Sequence, residues 1–323
     1  MPIIKTLVKA TKLEKEKFTI PKSVQDAIPI QRIWPDGIFQ VGSRFSKTFS
    51  FTDINYQIAG KEDKTAMFLD YSELLNALDS GASAKITINN RKINKAEFEK
   101  SLLLPMKEDG LDHFRKEYNE MLLSKVTGTN NSVVQDRYIT ITVAKRNIDE
   151  ARTYFSRVGT DLITHLSQLS SIGRELDAGT RLQVFRDFFK GNEPAAFAFD
   201  LKEQMKKGHN FKDWLCPDSM EFQKDHFRLN DRWGRVLYLQ GYASYIKDSM
   251  IAELCDMDRS LMLSIDILPV PTDEAVREIQ NKLLGVETNA ANWQRKQNAA
   301  NNFSAVLPYD MEQQRKETKE MLD

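Results

Sequence analysis

Between Gly234 and Val286 the chain reads as strand, helix, strand, helix with little slack between elements, and this α/β layer unit constrains the fold more than any other stretch. In its second strand Leu261, Leu263, Ile265 and Ile267 point one way and Met262, Ser264, Asp266 and Leu268 the other, giving one apolar and one mixed face. Val270 and Pro271 end that strand. Thr272 is placed to cap the following helix, and Asp273 and Glu274 suit its positive N-terminus. Val276, Ile279 and Leu283 recur at helical spacing to cover the sheet. Gly285 is the expected stop. None of these residues is a nucleophile beside a base or part of a metal cluster, so the stretch specifies architecture rather than chemistry.

The same two periodicities organise the rest. Phe45, Phe49 and Phe51 alternate with polar positions as a strand, and Leu74, Leu75 and Leu78 mark a helix that Gly81 terminates. Ala84, Ile86 and Ile88 share a strand face, and Leu111, Phe114, Tyr118, Met121 and Leu122 repeat at helical spacing. Residues 127–132, TGTNNS, read as a loop, and Ile139, Ile141 and Val143 alternate with Tyr138, Thr140 and Thr142 as a strand. Asn147 with Glu150 three places on opens a long helix, striped by Ile148, Ala151, Phe155, Val158, Leu162, Leu166 and Leu169. A further helix carries Leu182, Phe185 and Phe189, and Phe211 and Trp214 mark a packed connector.

This alternation points to an α+β fold, with mixed or antiparallel sheets covered by helices. Residues 222–284 look like a partial repeat of 43–170, which suggests two ferredoxin-like (β-α-β) halves. The chain then divides into an extended N-terminal arm (1–42), a first α/β subdomain (43–200), a second (201–289), and a polar linker with the start of a helix (290–323). The arm carries Lys5, Lys9, Lys12, Lys15, Lys17 and Lys22, suited either to acidic lipid headgroups or a neighbouring subunit, or simply to water. The last helix, in MEQQRKETKEMLD, has no glycine or proline to end it, so further chain is expected beyond it.

Lysine plus arginine equals aspartate plus glutamate, 46 each, so no net field draws the molecule to nucleic acid or an anionic membrane. Two cysteines, Cys216 and Cys255, are too few for a disulfide framework. No apolar run approaches the roughly 18 to 20 residues that span a bilayer, so a cytoplasmic location is expected.

The search for chemistry returns little. His113, His165, His209 and His226 are scattered without metal-ligand spacing, no GxSxG elbow occurs, and Ala59-Gly60-Lys61-Glu62 lacks the glycine and hydroxyl of a phosphate loop. Asp256 and Asp258 in CDMDRS form a carboxylate pair that reads either as an acid pair or as an ordinary turn. Arg228, Arg232, Trp233, Arg235 and Tyr238 have the composition of a nucleic-acid patch. Strand alternation competes with that reading: the arginines would face solvent while Trp233 and Tyr238 pack. Trp293, Arg295 and Lys296 invite the same two readings, with interdomain contact as a third.

Four stretches are similar to the N-terminal region of the conjugative-transfer ATPases of type IV secretion systems, the CagE/TrbE/VirB family. They are SFTDINYQIAGKEDKTAMFLDYSELLNAL (50–78), YASYIKDSMIAEL (242–254), LSIDILPVPTDEAVREIQNKLLGVETN (263–289) and NNFSAVLPYDMEQQRKETKEML (301–322). The resemblance runs from about Ile28 onward and rests on scaffold wording rather than catalytic signatures. It implies a docking and assembly domain, cytoplasmic and peripheral to the inner face of the cell membrane. Its partners would be inner-membrane channel proteins, other copies in a homo-oligomer, and a C-terminal ATPase domain where ATP and Mg are used. This fragment itself would hold no cofactor, metal or catalytic residue, and Arg232, Trp233, Arg235, Trp293 and Arg295 would form its interaction surface. Two rivals remain: a nucleic-acid-binding module of the conjugation machinery, and a standalone enzyme with an unrecognised carboxylate site such as Asp256 and Asp258.

Overall fold

The computed structural model describes residues 21–54, 56, 58–92, 103–128, 133–191, 200–241, 249–257, 259–302 and 306–320. Its strands in chain order are β1 (Arg32–Ile33), β2 (Phe39–Val41), β3 (Arg44–Phe51), β4 (Ala82–Lys92), β5 (Val133–Ala144), β6 (Gly173–Glu175), β7 (Met220–Phe222), β8 (Phe227–Leu229), β9 (Arg232–Gly234) and β10 (Leu261–Ile267). The helices are α1 (Val24–Ala27), α2 (Lys61–Asn76), α3 (Asp112–Gly128), α4 (Ile148–Gln168), α5 (Ala178–Lys190), α6 (Leu201–Lys207), α7 (Phe211–Leu215), α8 (Ser249–Cys255), α9 (Thr272–Ala299) and α10 (Tyr309–Glu320).

The fold is α+β. A seven-stranded sheet runs β1-β2-β3-β5-β4-β10 with β6 pairing β3, and β7-β8-β9 form a separate three-stranded sheet. Every pairing is antiparallel. β5 lies between β3 and β4, as in a split β-α-β arrangement. The two expected halves are corrected to one shared sheet, because β10 pairs along β4 from Leu261 opposite Asn90 to Ile267 opposite Ala84. A strand with an apolar face needs a sheet to extend, and β4 offers the edge that continues the face of Ala84, Ile86 and Ile88. The alternation read in β10 holds, with Leu261, Leu263, Ile265 and Ile267 half-buried and Met262, Ser264 and Asp266 exposed.

α4 is the helix that covers this sheet. Its N-cap Asn147 accepts a hydrogen bond from the Glu150 amide at 2.9 Å, and the Glu150 carboxylate accepts one from the Arg146 amide at 3.3 Å, closing a capping-box-like turn. The stripe Ala151, Phe155, Val158, Leu162 and Leu166 is buried against Phe45, Phe49, Ile139, Ile141 and Val143. Gly159 lets the helix approach β3 closely: a Cβ there would sit 3.1 Å from the Phe49 ring and 2.9 Å from Glu175 Oε1. Beside it Lys47, on the same strand face as Phe45 and Phe49, is buried and donates to Glu175 Oε2 at 2.5 Å. The pair keeps a charge on an otherwise apolar face partnered.

A second core gathers Ile28, Ile30, Phe39, Leu182, Leu215 and Cys216, with Phe185, Phe189, Phe211 and Trp214 half-buried around it. The part of the expected arm from Ile28 to Val41 therefore lies within the fold, since Ile28, Ile30, Ile38 and Phe39 are buried and β1 and β2 pair. Lys5, Lys9, Lys12, Lys15 and Lys17 lie outside the described residues. Arg181 on α5 ties this core to the sheet. Its guanidinium is fully buried without a carboxylate, donates to Gly37 O at 2.9 Å, Ser46 O at 2.6 Å and Ser46 Oγ at 2.8 Å, and lies 4.1 Å over the Phe39 ring. Burial pulls its pKa down to about 9, which still leaves it charged at neutral pH.

Three local readings are corrected. Gly285 does not stop a helix: α9 runs through it to Ala299, since a single glycine costs a helix interior only about 1 kcal/mol and the chain continues with no proline and with helix formers at Glu287, Ala290, Ala291 and Gln294–Gln297. Pro271, with no side-chain cap bond, occupies the N-cap, and Thr272 is already the first helical residue. The strand that opens the Gly234–Val286 stretch is absent, since β9 ends at Gly234 and Arg235–Gln240 belong to no strand. The physical reason is a short partner: β8 begins at Phe227, opposite Gly234, so the ladder has nothing further to pair with.

Candidate functional site

The small sheet is where the sequence placed Arg232, Trp233 and Arg235, and the structure brings these three together there. β7 and β8 form a hairpin around Asp225, with the Gln223 amide donating to His226 O at 2.9 Å, and β9 returns along β8. Of the expectation that Trp233 and Tyr238 pack while the arginines face water, the first half is corrected, and Arg232 and Arg235 are exposed as expected. Trp233 is 68% exposed and Tyr238 80%, and the arginines bond within the chain. Arg232 donates to Phe188 O at 2.7 Å and so ties the sheet to the end of α5. Arg235 holds the Asp225 carbonyl at 2.9 Å and its carboxylate at 3.2 Å. Arg228 donates to Asn230 O, lies near Glu221 and Asp231 at 3.7 and 3.5 Å, and places its guanidinium 5.6 Å over the Trp233 ring. His226 lies 5.1 Å from the same ring and bonds to Asp225 at 2.8 Å. That bond first, and Arg235 further away, hold the Asp225 carboxyl below the usual carboxylate range.

The consequence is a surface on which Arg228 and Arg235 lie near carboxylates, Arg232 is held by a backbone carbonyl, and much of the exposed area is apolar. Phe222 is exposed in the row with Phe227 and Gly234, on the opposite face from Trp233, and immediately after β9 come Val236, Leu237, Tyr238 and Leu239, at 75%, 84%, 80% and 51% exposure. Exposed apolar area of this kind suits a protein contact more than a phosphate backbone, which is bound by cations.

Trp293 and Arg295 are not part of this cluster. They sit on α9, which packs against α10, with Trp293 half-buried and Arg295 exposed. Asp256 is exposed at the end of α8, its amide bonded to Ala252 O, and Asp258 lies outside the described residues. Among the described residues no group of three or more His, Cys, Asp or Glu is arranged to hold a metal ion. A cleft of about 290 Å³ between α5, α6 and α7 is lined by Arg186, Lys190, Gln204, His209, Asp213 and Trp214, and it places no nucleophile beside a base. Cys216 and Cys255 are buried, and burial pushes both thiols up, away from the reactive thiolate. Among the described residues no helix is long and apolar enough to cross a membrane.

A second apolar surface was missed by sequence reasoning. α3 forms over the expected periodic segment, inserted between the paired arms of β4 and β5, whose ladder ends with Lys92 opposite Val133. Its stripe of Leu111, Phe114, Tyr118 and Met121 is exposed rather than buried. Periodicity identified the helix but carried no information about what lies opposite the stripe. No family model matches the chain, and no curated protein matches it.

Proposed function

We propose that this chain is the N-terminal docking and assembly domain of a conjugative-transfer ATPase of a type IV secretion system. It contacts inner-membrane channel proteins and other copies of itself at the inner face of the membrane. ATP and Mg serve a C-terminal motor domain, and this region performs no catalysis. The observation that carries the docking role is the exposed apolar run from Trp233 to Leu239, set among arginines that are already paired. The long stretches of family-like wording supply the identity of the system.

Aromatic anchors at the centre of a protein interface commonly contribute 2 kcal/mol or more, which is about 30-fold in affinity. The double variant Trp233→Ala, Leu237→Asp is therefore expected to weaken capture of the inner-membrane channel proteins by about that factor while the folded domain is retained. Unaltered capture by the double variant, or turnover of ATP by the purified chain alone, would overturn the reading.

A further inference from the structure

Among the described residues two backbone surfaces each lack a partner. The first is the outer edge of β10. This strand ends the order of the large sheet, so only one of its edges is paired, and among the described residues no hydrogen bond reaches the other. It is seven residues long, LMLSIDI, with neither lysine nor proline in it to discourage a further strand. The second is Arg235–Gln240, whose sequence RVLYLQ has strong strand propensity. Its backbone makes no hydrogen bond among the described residues, and its apolar side chains are the most exposed run on the small sheet. A segment that leaves both its backbone groups and its apolar side chains to water is in an unfavourable state that strand pairing would relieve.

We propose that Arg235–Gln240 of one copy adds as an antiparallel strand to the free edge of β10 in a second copy. One register matches the two lengths and sets the one cation of the segment opposite the one carboxylate of β10. Pairing Arg235 with Asp266 sets Val236 opposite Ile265 and Tyr238 opposite Leu263, so both extend the apolar face of the large sheet. Leu237 then meets Ser264, Leu239 meets Met262, and Gln240 ends the ladder opposite Leu261. The arginine, which within its own chain holds Asp225, exchanges that carboxylate for the one that β10 carries, Asp266, which is 65% exposed with Lys85 at 3.2 Å. A shift by one residue would exchange Val236 and Tyr238 for Leu237 and Leu239 on the apolar face, so the pairing of Arg235 with Asp266, rather than side-chain alternation, selects the register. The two surfaces are different patches of the same chain. The contact is thus head-to-tail, and it builds a ring if the rotation closes or a filament if it does not. The inference gives a form to the contact between copies in the proposed function and rests on that reading only for its setting.

Disulfide trapping with chains that each carry one introduced cysteine beside the buried Cys216 and Cys255 tests this directly. Directly opposed residues of an antiparallel pair have Cα atoms about 4.5 to 5.5 Å apart, within disulfide reach. A Val236→Cys chain mixed with an Ile265→Cys chain is expected to give a covalent dimer under mild oxidation, with the bridge mapped to that peptide pair. The wild-type chain, whose two thiols are buried, is the control. Sedimentation velocity over a concentration series should show the wild type associating and Tyr238→Pro staying monomeric, because proline removes a ladder donor from an exposed segment without touching the core. No bridge in the mixture overturns the proposal. So does a bridge formed only within one chain carrying both cysteines, which would mean the segment folds back on its own β10. Association undiminished in Tyr238→Pro overturns it as well. Channel-protein capture is read in parallel: loss of capture with the bridge intact removes the secretion reading alone, and capture without the bridge removes this inference alone.

Discussion

The large sheet under α4 and the small sheet of β7–β9 use the same residue types for opposite ends. In the first, Phe49, Ile141 and Phe155 are fully buried and interlocked, with a glycine in the helix so that the backbones can approach. In the second, Phe222, Trp233 and Leu237 stand in water, and the sheet is held to the body by arginine hydrogen bonds such as Arg232 to Phe188 O. Apolar area already removed from water stabilises this chain. Apolar area still in water is available to stabilise a complex. The difference separates folding from recognition along one polypeptide, and substitutions in the two regions should separate in the same way.

The sharpest contrast is Phe155→Ala against Trp233→Ala. Truncating a fully buried phenylalanine typically costs about 3–5 kcal/mol, so urea unfolding of Phe155→Ala should show a loss of that order. Trp233→Ala should change stability by less than about 0.5 kcal/mol while reducing capture of partners. Equal losses from the two would break the division. Next in size is Gly37→Ala. Gly37 lies at φ +78°, where a Cβ would be 1.9 Å from the Leu176 carbonyl oxygen. A non-glycine residue in that conformation costs roughly 1–3 kcal/mol, and the backbone overlap adds to it. A thermal melt unchanged from wild type would refute this. Smaller again is Arg181→Met, which removes a buried charge but leaves Gly37 O and Ser46 O short of donors. Unsatisfied buried acceptors cost about 1–3 kcal/mol, partly offset because the uncompensated charge is gone, so a net loss of about 1 kcal/mol is expected in urea unfolding.

The legibility of these two regions in the sequence differs for the same reason. The α4 stripe, the Asn147 cap, the β5 alternation and the two faces of β10 were all readable, because a buried element imprints its period on its own residues. The assignment of β10 to the sheet of the first block was not readable, since an apolar edge does not name the strand it joins. Gly285 misled because propensity is a weak signal against a long run of helix formers. At the small sheet, Arg232, Trp233 and Arg235 were singled out by composition, and the two arginines are exposed as read, yet Trp233 is exposed rather than packed. Alternation assumes a core on one side of every strand, and a three-residue ladder has too little sheet to build one. The buried Lys47 with its exposed partner Glu175, and the carbonyl-bound Arg181, left no local signal at all, because their partners lie 128 and 135 residues away in sequence or further.

The smallest expected effect lies at α3, whose apolar stripe belongs to the recognition side of the comparison while its base is fixed by charge. Arg115 reaches Asp109 and Asp112 at 2.5 and 2.6 Å, and the Asp112 carboxylate accepts the amides of Lys107 and Glu108 at 3.0 and 2.9 Å. The bond from Arg115 lowers the Asp109 pKa to about 2, and the Lys107 amide first, then Arg115, lowers that of Asp112. Both are carboxyls depressed in the folded state, so their contribution is fully present above the ordinary carboxylate pKa of about 3.8 and fades as pH falls through the folded values. Because these groups are at the surface, the loss is local. Amide exchange at Lys107 and Glu108 should therefore accelerate between about pH 4 and pH 2, relative to amides in β5, before the large sheet opens. In Arg115→Gln the same acceleration should begin at higher pH, since the carboxyls then titrate nearer their ordinary range. If Lys107, Glu108 and the β5 amides lose protection together, the base of α3 belongs to the cooperative core, and the line drawn between the two kinds of region has to move to include it.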